Sequence, residues 1–169
     1  MLNPMSKAFT KDESEAVLTD VVTPRAPLPE GTPNYVTPRG LELLRDELAR
    51  LEAERSALGA ADDAARRAAA RLSLRIVELE ARIASAVPVD PATHAQDCVR
   101  FGATVRVRAG DGTQRSFQIV GVDEADPQQG RIAFVAPLAR ALLGKPVGAE
   151  VTFRSPRGVE ELEVTEILY

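Results

Sequence analysis

The sequence predicts an α+β protein: an antiparallel helical hairpin (coiled coil) followed by an antiparallel β domain with one short helix. Three observations carry this reading. Leucine and isoleucine recur at helical spacing through residues 37–87. That repeat is interrupted at its middle by Gly59-Ala60-Ala61-Asp62-Asp63. Beyond Asp97 the apolar residues alternate or cluster in short runs between glycine turns, which is the period of strands.

The helical part follows from spacing. Leu41, Leu44, Leu48 and Leu51 recur every three or four residues, and Leu58 follows one heptad later. Leu72, Ile76, Leu79 and Ile83 repeat the rhythm, as a coiled-coil seam requires. Thr37 offers an N-cap hydroxyl and Pro38 suits the first helical position. Gly59 can close the first helix in the left-handed conformation. Asp62 or Asp63 then caps the second, where a carboxylate suits the positive end of the helix dipole. Pro88 stops it. The first arm, residues 37–58, would extend roughly 33 Å.

One continuous helix in a parallel dimer fits the same apolar phase, because the register runs unbroken from Leu41 through Leu58, Ala65 and Leu72 to Ile83. It would place Arg55 and Asp62 in the seam. It would also bury Gly59 mid-helix, a cost of about 1 kcal/mol. Those defects favour the hairpin, and with it a monomer.

The whole chain then divides into a disordered or extended tail (residues 1–34), the finger (35–88), a linker (89–96) and the β domain (97–169). The tail carries Asp12, Glu13, Glu15 and Asp20, then Pro24, Pro27, Pro29 and Pro33, a composition that gives extended linkers. In the β domain, Val105 and Val107 alternate with Arg106 and Arg108. Asp111-Gly112 makes a hairpin turn, and Phe117, Ile119 and Val120 return. Residues 131–135 form another strand, Pro137 opens a short helix through Leu143, and residues 149–154 and 160–168 complete the sheet around a turn at Pro156-Arg157-Gly158.

The 169 residues carry a net charge of −4, which argues against a general nucleic-acid binder. The single cysteine, Cys98, forms no internal disulfide and fits a cytoplasmic protein. No apolar run is long enough to span a membrane. His94, in the linker, reads as solvated, and Cys98 as packed rather than reactive. A lone histidine completes no Ser-His-Asp set, and no phosphate loop or metal-ligand spacing is present.

The chain resembles the Gre family of bacterial transcription elongation factors, most closely its GreB-like branch. The resemblance rests on Val36-Thr37-Pro38-Arg39-Gly40-Leu41 followed by Asp46-Glu47-Leu48, and more densely on Phe101-Gly102-Ala103-Thr104-Val105 and Ile119-Val120-Gly121-Val122-Asp123-Glu124. It continues in Pro137-Leu138-Ala139-Arg140-Ala141-Leu142-Leu143-Gly144-Lys145 and the final Tyr169. The family implies an FKBP-like C-terminal domain that docks on RNA polymerase beside its secondary channel. It also implies a coiled coil entering that channel, where acidic tip residues help hold a second Mg²⁺ so that the polymerase cleaves backtracked RNA.

The tip departs from that pattern. The family carries an Asp, two residues, then Glu-Asn; here only Asp62 and Asp63 stand near the turn. The finger is also shorter than in cleavage factors, a deficit of roughly 10 Å for two turns per arm, whereas Mg²⁺ requires oxygens near about 2.1 Å. Asp62 and Asp63 therefore read as a cap and a dipole-favoured neighbour, and as metal ligands only in the competing reading. The chain then has no catalytic residues and no cofactor of its own. The Mg²⁺ of the polymerase active centre would concern it only if those acids were functional.

Arg67, Arg71 and Arg75 form one stripe, with Arg66 beside it. The stripe would contact RNA transiently or acidic channel walls, or pair with Glu42, Asp46, Glu47, Glu52 and Glu54 as a solvated face. The resemblance places polymerase contact at Val135, Ala136 and Pro137, where the family commonly has Ser-Pro and this chain lacks the serine hydroxyl. The same residues would otherwise end a strand and start a helix. Other function classes are a peptidyl-prolyl isomerase, disfavoured by having no Trp and five Phe, and a plain coiled-coil dimerisation module.

Overall fold

A computed structural model describes residues 25–59, 62–155 and 158–169. Strand β1 (Asn34–Val36) leads into helix α1 (Pro38–Ala57), and helix α2 (Asp63–Ala84) returns to strand β2 (Ala86–Pro88). Strands β3 (Thr104–Ala109), β4 (Gln114–Val120) and β5 (Arg131–Ala133) follow. Helix α3 (Pro137–Leu142), β6 (Glu150–Ser155) and β7 (Gly158–Leu168) complete the chain. Ala60 and Ala61 at the finger turn, Pro156 and Arg157 at the β6–β7 turn, and tail residues 1–24 lie outside the described residues.

The hairpin forms for the reasons the pattern anticipates. Thr37 Oγ1 accepts from the Gly40 amide at 2.8 Å, and Asp62 Oδ1 accepts from Ala65 at 2.7 Å. Gly59 takes φ +62°, a conformation that strains residues with a Cβ. Leu44, Leu51, Leu72, Ile76 and Leu79 are buried in the seam, with Leu41, Leu48, Leu58 and Ile83 packed beside them. The two helices pack on each other across a short turn, so the continuous helix is excluded for this chain.

The β domain is a five-stranded sheet in the order β5-β4-β3-β7-β6. The β3–β4, β3–β7 and β6–β7 pairs are antiparallel, while β4 and β5 run parallel. The sheet is thus mixed at one edge. Its core gathers Val99, Val105, Val107, Ile119, Leu142, Leu162 and Val164 with α3 laid against it. Among the described residues no helix is long and apolar enough to cross a membrane.

Two expected boundaries differ. The described end of the tail is packed rather than free: Asn34 belongs to β1, and its Nδ2 donates to the Arg82 carbonyl at 2.9 Å. Residues 89–96 also pack instead of spacing two domains. Val89 N donates to the Val36 carbonyl at 2.9 Å, and Pro91 lies so close that a Cβ at Gly102 would stand 2.2 Å from its Cγ. His94 is half-buried edge-on to Tyr169, ring centroids 5.6 Å apart. A linker is expected where prolines cluster, but here the Pro91 ring fills the space left by a glycine.

Candidate functional site

Three places on the molecule are candidates for function: the seat of the finger on the β domain, the fingertip, and the β5–α3 loop. The seat begins with β4. Its apolar end, Ile119-Val120, is fully buried, so the residues that follow emerge directly under the finger. Gly121 comes so near β1 that a Cβ would stand 2.7 Å from the Tyr35 carbonyl oxygen. Tyr35 in turn packs on Phe101 and Phe134, centroids 5.8 and 5.6 Å away, joining the finger base to the domain core.

Polar groups complete the seat. Glu124 is 6% exposed, and its Oε2 accepts from the Thr37 hydroxyl at 2.5 Å. That hydroxyl caps α1 through Gly40, so one side chain fixes the helix start and ties it to the domain. The carboxylate also faces the positive end of α1. Beside it, Asp123 meets Arg25 at 2.9 Å and Arg82, in the last turn of α2, at 3.4 Å. Arg25 also reaches Glu47 of α1 at 2.5 Å. Burial works against the Arg25 charge, but hydrogen bonds and attraction from Glu47 and Asp123 outweigh it, so its pKa is held above the ordinary guanidinium value. Tail, both helices and the β4–β5 loop are thereby tied at one point.

At the tip, Asp62 is committed to its cap and Asp63 pairs with Arg66. The exposed pair is weak; the cap is the stronger constraint. Asp62 thus gives one carboxylate oxygen to a backbone amide, and Asp63 lies exposed beside a guanidinium. Asp62→Ala should lower finger stability by about 1 kcal/mol, seen as a lower melting temperature by circular dichroism. Asp63→Ala should change it far less.

The arginine stripe is only partly paired. Arg75 lies 3.8 Å from Glu47, while Arg67 and Arg71 are exposed with no ion-pair partner among the described residues. At the β5–α3 loop, Val135 and Ala136 pack against the core and Pro137 is exposed at the start of α3. Ala136 occupies the N-cap position without a side-chain cap bond, the structural counterpart of the missing serine.

Sequence reading located Thr37, Asp62, the stripe and the loop. It missed Asp123, Glu124, Arg25 and Arg82 as a group. The available signal was a pair of acids two residues beyond the buried run Ile119-Val120, across Gly121-Val122.

Fold and site define a two-part protein, a helical finger held at a set attitude on a small mixed-sheet domain. The profile "Transcription elongation factor, GreA/GreB, C-term" matches residues 93–169. GreB of Neisseria meningitidis serogroup A is 38% identical over 155 residues, covering 82% of this chain and 95% of that protein. GreA of Alkalilimnicola ehrlichii is 40% identical over 152 residues, covering 79% and 96%. Among solved structures, the GreA/GreB factor from Nitrosomonas europaea aligns at TM-score 0.41 and 25% identity over 80% of this chain and 98% of that one. The chain belongs to the GreA/GreB family of transcription elongation factors. Relatives bearing both names match it at similar identity.

Proposed function

We propose that this chain binds bacterial RNA polymerase near its secondary channel, the β domain docking and the finger entering, and that it does not stimulate transcript cleavage. The observation that carries the second half is the commitment of Asp62 to capping α2 at 2.7 Å, in a tip without the family's Glu-Asn pair. Support for the first half comes from the family itself and from a finger rigidly seated by Glu124, Asp123 and Gly121. In this reading the chain acts by occupying the channel, alone and as a monomer, and contributes no catalytic group of its own. RNA polymerase is the partner; nascent RNA would be met only in passing, through Arg67 and Arg71.

Docking is assigned to Val135, Ala136 and Pro137. Ala136→Glu, checked for an unchanged circular-dichroism spectrum, should weaken polymerase binding on the order of tenfold. Unchanged affinity in a folded variant would remove the loop from the interface.

A further inference from the structure

The outward face of α2 is apolar where that of α1 is charged. Ala70, Leu74, Val77, Ala81 and Ala84 recur at spacings of four and three and are all exposed, Leu74 at 69% and Val77 at 61%. They form a second seam-like stripe, opposite the one that packs on α1. On α1 the outward residues include Arg39, Asp46 and Arg50. Along one side of the α2 stripe run Arg67 and Arg71 near the tip and Arg82 at the base, with the exposed Glu78 between them.

We infer that this stripe is the docking site for the chain's own N-terminal segment, residues 12–22. The described chain begins beside the stripe: Arg82 Nη2 donates to the Ala26 carbonyl at 2.7 Å. Residues 12–22 hold Asp12, Glu13, Glu15 and Asp20 with no basic residue, and Ala16, Val17, Leu18, Val21 and Val22. Their order suits the face. Leu74 lies eight residues above Arg82 on α2, roughly 12 Å. Seven residues separate Leu18 from Arg25, reaching roughly 10 Å when helical and about 24 Å when extended. Running towards the tip, Leu18 therefore meets Leu74 and Val77, and Asp12, Glu13 and Glu15 arrive level with Arg71 and Arg67. The acids supply the charge that those two arginines lack among the described residues, and the valines and leucine cover apolar surface otherwise left in water.

If the finger enters the polymerase channel with Arg67 and Arg71 open to RNA, the segment has left this face. That consequence rests on the proposed function; the docking itself does not.

The test is disulfide trapping in the full chain with Cys98→Ser, carrying Thr19→Cys with Val77→Cys, and in parallel Thr19→Cys with Asp46→Cys on the outward face of α1. Docking predicts a rapid intramolecular disulfide at Val77→Cys, at least tenfold faster than at Asp46→Cys. High salt, or Asp12, Glu13 and Glu15 all changed to Lys, should slow it severalfold. Equal rates at the two helices, no trapping at either, or a disulfide-linked dimer showing a second copy on the stripe would each overturn the inference.

Discussion

Leu51→Ala should melt the finger while leaving the β domain folded. Leu51 and Leu79 are both fully buried in the seam, and truncating such a leucine costs about 2–5 kcal/mol. Most of a helix's stability in a protein comes from packing of its apolar face, so α1 and α2 depend on each other across that seam. Hydrogen exchange should show amides of α1 and α2 losing protection, while β3, β4 and β7, whose core is separate, keep theirs. Loss of protection spread evenly through both parts would mean that the finger and domain share one cooperative core.

Gly121→Ala should unseat the finger. The added Cβ meets a backbone oxygen, the Tyr35 carbonyl at 2.7 Å, and β1 cannot retreat easily because Tyr35 is paired with Val87 in β2 and wedged against Phe101 and Phe134. Overpacking of this kind costs about 1–3 kcal/mol. Either the contact opens or β1 shifts, and both loosen the bonds from Glu124 to Thr37 and from Asp123 to Arg25 and Arg82. The expected signature is faster exchange at the start of α1 and a broader distribution of finger attitudes in small-angle scattering. Near-wild-type scattering and exchange would show that the polar ties alone hold the seat.

The finger was legible because burial in a two-helix seam leaves a period in the sequence. Leu44, Leu51, Leu72, Ile76 and Leu79 are spaced by it, and the caps at Thr37 and Asp62 are local chemistry, satisfied within three residues. The seat was illegible for the opposite reason. Thr37 and Glu124 are 87 residues apart, and an acid after a strand gives no sign of which helix start it will meet. Arg25 was read as part of a proline linker because composition records the prolines and not the two acids, Glu47 and Asp123, and the Arg82 guanidinium that hold the chain there. Likewise His94 lies in a stretch that reads as loop, yet the Tyr169 ring at the far end of the sequence covers it. The segment proposed for docking lies at the strand-to-helix junction, with Val135 half-buried because β5 ends two residues earlier than the pattern suggests.

The most direct test is RNA cleavage in a stalled, backtracked elongation complex of the cognate polymerase, with binding followed in the same samples. The account predicts binding without stimulated cleavage, and no further change in cleavage for the Asp62→Ala, Asp63→Ala double variant. Stimulated cleavage that disappears in that double variant would contradict it and make the two aspartates metal ligands.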